Sequence, residues 1–391
     1  MQSVSSLNGI FITQSEGLLG AIVDTTGSMD ESMPKSIIIR DPVYDYIYIT
    51  PIERDIIDRP EVQRLRFILQ NSSAYLTYPS NNTSRFLHSL GVMHLAGELL
   101  INGLKHATKS DLSDFLAEVN TYINKNIIAT HWDENELLDG WKTVLGDAAH
   151  FAHHPLEGPA LVPTEEQRLI INLLWQSVRL AALIHDVGHF PLSHLFEYAF
   201  ADFFTFSDIT SRPFQDEYIK RFKKFRESVP KDIQKELPTD DHPVIDLLKE
   251  YPLHEMWGAI LFHSWLPSNI SESPRRAFYD VVFNLAKIIS LVKPEEQKDT
   301  KQDPLHVFRC LHTLVSGELD ADRLDYCVRD PQSSGLELGA IDVTRIVRSM
   351  ALIKDDNRFI IIPEARALSA LESFFHQRYL MYRFLVYHHN V

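Results

Sequence analysis

The sequence predicts a mainly α-helical fold, and three features of the chain indicate it. Hydrophobic residues make up 45% of the 391 residues and only 15 are glycine, a composition typical of globular helical proteins. Leu87, Leu90 and Leu95 recur at the spacing of one helix face. A long apolar segment also leads up to His185, which predicts a helix buried in the core.

The N-terminal residues predict an arm with short strands ahead of a helical body. Residues up to Arg40 are rich in Ser, Gly and Thr, whereas β-branched and aromatic residues alternate just before Thr50. That alternation is typical of a strand or hairpin. Thr50 then suits a helix N-cap and Pro51 a first turn. We therefore expect an arm at residues 1–49 and a body at residues 50–391.

The charge and composition argue against several classes of protein. There are 53 acidic and 38 basic side chains, and the net charge of −15 disfavours a surface that wraps duplex nucleic acid. A small anionic ligand needs only a local basic pocket and stays compatible with this charge. No apolar stretch of the sequence reaches the length of a membrane span, and no basic region precedes the short apolar run at residues 17–23. Two cysteines are too few for a disulfide framework, and we expect a cytoplasmic protein.

An adjacent histidine and aspartate, His185 and Asp186, end the long apolar segment. A neighbouring imidazole and carboxylate at the buried end of a helix lose their hydration, so a partner must satisfy both. A divalent metal ion is such a partner, because neutral imidazole and carboxylate suit transition metals, Mg²⁺ and Mn²⁺. The pair therefore predicts a metal site that further ligands complete.

Two other segments offer those further ligands. His88 lies near the start of a mostly apolar helix, and Gly317–Tyr326 carries three aspartates, two of which are Asp320 and Asp322. Spacing alone does not decide which of these two aspartates is the ligand. The order His, then His-Asp, then Asp is much more specific than any of its parts.

With these motifs the chain resembles the HD-domain phosphohydrolases, and among them the deoxynucleoside triphosphate (dNTP) triphosphohydrolases. The segments that carry the resemblance are Pro60–Gln70, Ser84–Gly91, Ile184–His194 and Leu319–Asp330. The resemblance implies an HD-type helical core with one catalytic divalent metal ion, which could be Fe, Mn, Zn or Mg. It also implies hydrolysis of a dNTP to deoxynucleoside and triphosphate. Because the resemblance is interrupted twice, we interpret residues 104–163 and 203–252 as insertions.

The first predicted insertion contains a histidine cluster, His150, His153 and His154. Together with Asp147 these residues could suggest a second metal site. Clustered surface histidines are more often solvated, however, and neither a familiar ligand spacing nor a cysteine supports a metal here. We therefore predict no second metal at this cluster.

The resemblance implies roles for individual residues of the metal site and of the acid–base chemistry. It favours Asp322 over Asp320, and the implied metal ligands are His88, His185, Asp186 and Asp322. The implied acid–base or phosphate-contacting residues are His189, His194, Glu197 and His254. In this comparison His254 matches the catalytic histidine and Glu197 the carboxylate that orients it. The alternative for His194 and Glu197 is a simple surface pair three residues apart on a helix.

The resemblance also implies a substrate site, made of Gln70, Arg85, Arg323, Tyr326, Asp330 and Arg378, and we add Tyr382, which departs from the family pattern because it stands where some relatives use His. The implied partners of the polyphosphate are Arg85, Arg323 and Arg378, because planar guanidinium groups bind phosphate oxygens well. Gln70 and Asp330 would hold the 3′ hydroxyl, and the Tyr326 ring would crowd a ribose 2′ hydroxyl. The alternatives are helix packing for Tyr326 and an ion pair with a neighbouring arginine for Asp330.

Other functions share the bare His, His-Asp, Asp set. Cyclic-nucleotide phosphodiesterases, guanosine-tetraphosphate hydrolases and nucleotidases use it, and an HD body can also sense a nucleotide without catalysis. The extended set of substrate and acid–base residues favours the dNTP triphosphohydrolases. We therefore expect a dNTP substrate and a homo-oligomer, with no membrane and no duplex nucleic acid as partner. The sequence leaves open whether a nucleotide effector binds.

Overall fold

The computed structural model describes residues 37–127, 163–205, 212–238, 252–265, 274–293, 303–356 and 358–387. Helices dominate these residues, and the prediction of a mainly α fold is confirmed. Within the described ranges the strands form two antiparallel hairpins. In this part of the chain, no helix combines the length and the hydropathy that crossing a membrane requires.

The elements follow one another with few long connections in the described parts of the chain. The strands are β1 (Ile37–Asp41), β2 (Asp45–Ile49), β3 (Met350–Asp355) and β4 (Arg358–Pro363). The helices are α1 (Pro51–Ile57), α2 (Pro60–Gln63), α3 (Arg85–Lys105), α4 (Lys109–Asn126), α5 (Glu165–Ile184), α6 (Ser193–Thr205), α7 (Arg212–Ser228), α8 (Lys231–Glu236), α9 (Leu253–His263), α10 (Pro274–Leu291), α11 (His306–His312), α12 (Ala321–Ser334), α13 (Val343–Val347) and α14 (Leu368–Met381). Short 3-10 turns cover Arg64–Phe67, Ser72–Leu76 and Ala365–Ala367, and a π turn covers Tyr382–Val386.

The start of the helical body lies where the cap chemistry predicts it. Thr50 caps α1, and its side chain accepts the backbone N–H of Glu53 while the Glu53 carboxylate accepts the backbone N–H of Thr50. This reciprocal capping box satisfies two backbone donors of the first turn. Ahead of it, β1 and β2 pair with Ile39 opposite Ile47.

Helix α3 is the central element that positions the candidate site. It packs against α5 and α12, and α5 packs in turn against α10. Because α3 is apolar around most of its circumference, 16 of its 21 residues are buried, and His88 is one of them. The first turn of α3, the end of α5 and the start of α12 therefore meet inside the protein.

Parts of both predicted insertions are helical. Helix α4 lies in the first, and helices α7 and α8 lie in the second. Residues 128–162 of the first and residues 206–211 and 239–251 of the second are outside the described residues, as are residues 1–36 and the His150, His153 and His154 cluster. The division into an arm at 1–49 and a body at 50–391 stays a prediction.

Candidate active site

The His185-Asp186 pair follows directly on the buried helix α5. The helix ends at Ile184, and His185 is its C-cap residue. The Nδ1 atom of His185 lies 2.6 Å from the carbonyl oxygen of Ala182, to which it donates. That contact uses the first ring nitrogen and leaves Nε2 to face the neighbouring carboxylates.

Four predicted ligands meet at this point from three elements. The Nε2 atom of His88, from α3, lies 2.9 Å from Oδ1 of Asp322, from the first turn of α12. The Nε2 atom of His185 lies 3.5 Å from Oδ1 of Asp186 and 3.8 Å from Oδ1 of Asp322. Donor atoms that bind one ion at about 2.0–2.2 Å have separations of this size from one another.

The chemistry of these donors fits a divalent cation. Within the described residues, Nε2 of His185 is buried and makes no hydrogen bond, and Nε2 of His88 is buried with the Asp322 carboxylate, another candidate ligand, 2.9 Å away. The Nδ1 atoms are both engaged, in His88 by Asp325 and in His185 by the Ala182 carbonyl. Each imidazole thus presents a lone pair to the same small volume, and two carboxylates supply compensating charge.

The geometry separates the two aspartates that spacing alone leaves equivalent. Asp320 is the N-cap of α12, and its carboxylate accepts the backbone N–H groups of Arg323, at 2.6 Å, and Gly317, at 2.8 Å. Asp322 points instead to the histidines. A carboxylate that already caps a helix is poorly placed to bind a metal ion, so the arrangement favours Asp322 as the ligand.

Arg85 occupies a different position from the one that a purely substrate-binding role would require. Its guanidinium is 2% exposed and donates to Oδ2 of Asp186 and, at 2.8 Å, to Oγ of Ser193. Burial acts to raise the pKa of Asp186, but the charge of Arg85, together with His185 and His189, outweighs burial and holds the pKa well below its usual range. Arg85 therefore keeps this carboxylate ionised.

A second cluster gathers three imidazoles around Glu197. The Oε1 atom of Glu197 lies 2.7 Å from Nδ1 of His254 and 3.5 Å from Nδ1 of His189, and Oε2 lies 3.2 Å from Nδ1 of His194. Ligand atoms of all four residues lie within 4.8 Å of one another, so this set could also hold a metal ion. Glu197 reaches residues on two other segments, which is more than a surface pair with His194.

Close backbone packing brings the two clusters together. A Cβ atom at Gly188 would lie 1.9 Å from the carbonyl oxygen of His254, so the turn after α5 approaches α9 in a way that only glycine permits. As a result the rings of His189 and His254 stack with centroids 3.9 Å apart. The guanidinium of Arg64 donates to the carbonyl oxygens of His189 and Val187 and so holds the same turn.

The two stacked histidines differ in charge. Burial lowers the pKa of His189 to about 3, even though Asp186 acts in the opposite direction. Burial also acts to lower the pKa of His254, but the hydrogen bond and the charge of Glu197 outweigh it and raise the pKa. Near neutral pH, His189 is therefore neutral and His254 is the better reservoir of a proton.

All the predicted substrate residues line one cavity of about 1230 Å³, and His185, Asp186, His189, His194, His254 and Asp322 line the same cavity. Oε1 of Gln70 and Oδ1 of Asp330 are buried there and have no hydrogen-bond partner in the described ranges. Burial raises the pKa of Asp330 to about 6. Buried polar atoms without partners in a large cavity are typical of a ligand site.

Two of the basic groups that line this cavity, Arg323 and Arg378, lie on α12 and α14. Arg323 follows Asp322 directly, and its Nη1 lies 3.4 Å from Asp320. The guanidinium of Arg378 lies 5.5 Å from the ring centre of Tyr382 and shares the cavity with Tyr326. Asp330 forms no ion pair with Arg329, because the Arg329 guanidinium is bound to Asp325 and Asp41.

Sequence reasoning missed two residues that support the site. Asp325 holds Nδ1 of the candidate ligand His88, and Arg64 holds the turn of His189. A signal for Asp325 was present, because it follows Asp322 by one helical turn and precedes Arg329 by four residues. Nothing local marks Arg64, since its partners are backbone carbonyls far along the chain.

Comparison with known proteins supports the predicted resemblance. The chain is 24% identical over 357 residues to the bovine (Bos taurus) deoxynucleoside triphosphate triphosphohydrolase SAMHD1. The matched region covers 90% of this chain and 45% of that protein. The resemblance to the HD-domain dNTP triphosphohydrolases is confirmed. The chain is also 23% identical over 354 residues to the uncharacterized protein MJ1154 of Methanocaldococcus jannaschii, over 90% of this chain and 46% of the other.

Two further comparisons concern solved structures and protein-family profiles. A solved phosphohydrolase structure from Bacteroides thetaiotaomicron matches 90% of this chain and 55% of its own, with 21% identity and a TM-score of 0.46. No protein-family profile matches the chain. The chain spans about half the length of the curated relatives it matches, so the similarity to this family concerns only that part of the relatives.

Proposed function

We propose that this protein is a metal-dependent HD-type phosphohydrolase that cleaves dNTPs to deoxynucleoside and triphosphate. The single observation that carries the proposal is the pair of buried Nε2 atoms, from His88 and His185, that face two carboxylates beside a large cavity. The similarity to the SAMHD1 triphosphohydrolase supports the phosphohydrolase class. The choice of dNTPs rests on the residues around the cavity.

The chain's own residues supply the binding and proton-transfer parts of such a reaction. When bound, a divalent ion held by His88, His185, Asp186 and Asp322 supplies Lewis-acid chemistry to a phosphate oxygen. Arg85 keeps Asp186 in place and ionised. The departing 5′ oxygen needs a proton, and His254 is the group best suited to donate it because its pKa is raised.

Glu197 prepares His254 for that role. It accepts the Nδ1 hydrogen, so the ring keeps its orientation and Nε2 is the nitrogen that exchanges a proton with the substrate. His189 stacks on the same ring but stays neutral, and it can donate a hydrogen bond without supplying a charge. The two histidines therefore have different roles in this proposal.

The cavity residues support a nucleotide with an unmodified 3′ hydroxyl. Arg323 and Arg378 can bind the polyphosphate, since guanidinium groups bind phosphate oxygens in pairs. Gln70 and Asp330 offer unpaired buried oxygens to a hydroxyl donor. Tyr326 lies on the same helix as Asp322 and lines the cavity, where its ring would limit the space next to the sugar.

Identifying the released phosphate product tests the proposal. Metal-loaded protein is incubated with each dNTP, with each NTP and with cyclic nucleotides, and the products are separated by ion-exchange chromatography. We expect deoxynucleoside and inorganic triphosphate, and no product from Asp322→Ala. Release of pyrophosphate or orthophosphate would indicate another HD-type phosphohydrolase, and nucleotide binding without any product would indicate a sensing module.

A homo-oligomer in the cytoplasm is the assembly that the family resemblance suggests. Light scattering at several protein concentrations, with and without a dNTP or GTP, tests it. A mass that rises on addition of nucleotide would support an effector as well as an oligomer. A monomer under all conditions would contradict the homo-oligomer and would give no support to an effector.

A further inference from the structure

A chain of buried charges joins the candidate metal centre to the N-terminal hairpin. The Nδ1 atom of His88 lies 2.8 Å from Oδ2 of Asp325. Arg329 donates from Nε and Nη2 to Asp325, both at 2.8 Å, and from Nη1 to Oδ2 of Asp41 at 2.9 Å. Asp41 is the last residue of β1, so the connection runs from α3 through α12 to the hairpin.

These contacts leave little freedom to the groups that make them. His88, Asp325, Arg329 and Asp41 are each at most 3% exposed. A Cβ atom on Gly91 would lie 2.0 Å from Oδ1 of Asp325, so α3 and the ion pair are packed against each other without a gap. A displacement of the Asp325 carboxylate would therefore also displace the His88 ring.

The hairpin turn holds the far end of the chain of charges. Oδ1 of Asp41 accepts the backbone N–H groups of Val43, at 2.8 Å, and Tyr44, at 3.0 Å. The guanidinium of Arg329 lies 5.6 Å from the centre of the Tyr44 ring. Asp41 is thus fixed by its own turn and can orient Arg329 in return.

Stability alone is a weak reason for such an arrangement. Buried ion pairs often contribute no more to stability than well-packed apolar side chains of the same size. Partners of a ligating imidazole, by contrast, fix its tautomer and its orientation and commonly change metal affinity by about 10–100-fold. Asp325 accepts the Nδ1 hydrogen of His88 and so directs the Nε2 lone pair to the ligand cluster.

We infer that Asp325, Arg329 and Asp41 are positioning residues for the ligand His88, and that the N-terminal hairpin is thereby a working part of the metal centre. The inference rests on the metal site of the proposed function, but not on the identity of the substrate. Arg329 transmits the effect, because it binds both carboxylates at once. Without Asp41, the guanidinium would keep its two bonds to Asp325 but lose the contact that fixes it from the side of the hairpin.

Metal affinity, measured without any nucleotide, tests this inference. The dissociation constant for Mn²⁺ or Co²⁺ is obtained by competition with a chromogenic chelator on the full chain, in the unmodified protein, Asp325→Asn and Asp41→Asn. We expect Asp325→Asn to weaken binding by about 10–100-fold. Asp41→Asn should weaken it by less, but by at least about threefold, because its effect passes through Arg329. The visible spectrum of bound Co²⁺ should change in both variants.

Glu53→Gln is a matched control for loss of a buried charge near the same hairpin. Glu53 is 0% exposed and pairs with Arg179 at 2.6 Å, and Arg179 donates to the carbonyl oxygen of Tyr48 in β2. None of the contacts described for Glu53 and Arg179 reaches His88. We expect this variant to lower the melting temperature of the metal-free protein and to leave the metal dissociation constant unchanged.

The comparison between Asp41→Asn and Glu53→Gln decides whether the N-terminal hairpin contributes to metal binding. If both bind metal as tightly as the unmodified protein, the hairpin has no role in the metal centre and the inference is overturned. If Asp325→Asn does not fold, Asp41→Asn alone decides, because Asp41 does not touch the ligand. Since no nucleotide is present, a failure of dNTP hydrolysis leaves this result intact.

Discussion

Glu197 accepts two hydrogen bonds from one residue, His254. Its Oε1 lies 2.7 Å from Nδ1 and 3.2 Å from the backbone nitrogen of His254. The carboxylate therefore fixes both the ring and the first turn of α9. Nδ1 is occupied, and Nε2 is the nitrogen through which His254 can exchange a proton. The contact also stabilises the charged imidazolium, which is the form that a general acid requires.

The pH dependence of hydrolysis should reveal this contact. Glu197→Gln removes the largest influence that raises the pKa of His254, so burial is opposed less strongly, by Asp186 and Glu255, and the pKa falls. A general acid must be protonated, and the basic limb of the kcat profile should therefore move to lower pH. Steady-state rates from pH 5 to 10 measure the shift. Glu217→Gln, on the exposed surface of α7, is the control, and equal profiles for the two variants would contradict the assignment.

Removal of the proton donor should separate chemistry from binding. We expect His254→Ala to keep its metal and to bind substrate while kcat falls by about 10²-fold or more, the usual scale for positioned acid catalysis. Elemental analysis, equilibrium binding of a dNTP and single-turnover rates measure the three quantities. His263→Ala, at the other end of α9, should keep full turnover. Unchanged turnover in His254→Ala would make His189 the next candidate.

Loss of metal ligands should abolish both metal content and hydrolysis. Asp322→Ala removes one ligand, and the combined change of His185→Ala and Asp186→Ala removes two, whereas the helical core far from the site is untouched. Circular dichroism should show that most of the fold survives. Elemental analysis measures the metal.

Asp320→Asn is the control for the ligand variants. The single carbonyl oxygen of Asn can keep the N-cap bond to the backbone N–H of Arg323 while the bond to Gly317 is lost, so α12 should still form, with some loss of stability, and the metal should be retained. A full complement of metal in the double variant of His185 and Asp186 would show that the ligands are other residues.

Discrimination between dNTPs and NTPs should depend on Tyr326. A pocket that hydrogen-bonds the 3′ hydroxyl through Gln70 and Asp330 and crowds the 2′ position rejects the wrong sugar strongly, because binding then brings a clash or leaves buried polar groups unpaired. We expect dGTP to be preferred over GTP and Tyr326→Ala to narrow the ratio of their kcat/KM values. Tyr198→Ala, which removes an exposed tyrosine, should not change the ratio. Equal use of dGTP and GTP by the unmodified protein would favour a broader nucleotide phosphohydrolase.

The features that the sequence predicts well are those encoded by neighbouring residues. The capping pattern at Thr50 predicts the start of α1, and the apolar run before His185 predicts a buried helix that ends in the motif. Caps and periodicity depend on residues within one or two turns, so they can be read without knowledge of the fold. The hairpin of β3 and β4 was not predicted, because its apolar residues, Met350–Ile353 and Phe359–Ile362, run consecutively and do not alternate with polar residues.

Other features were decided only by the tertiary structure. Spacing leaves Asp320 and Asp322 equivalent as candidate metal ligands. The choice between them depends on which carboxylate is the N-cap of α12, and that is Asp320. The family resemblance implies phosphate as the partner of Arg85, whereas packing of α3 against the turn after α5 pairs it with Asp186. Both outcomes depend on which groups burial brings together.

By itself, then, the sequence determined the helical class, the order of the candidate ligands and the family that the chain resembles. The tertiary structure decided which groups support those ligands, as in the contacts from His88 through Asp325 and Arg329 to Asp41. The physical reason is that a buried charge must find its partner wherever packing places one. Such a partner can lie anywhere along the chain, and no local pattern records it.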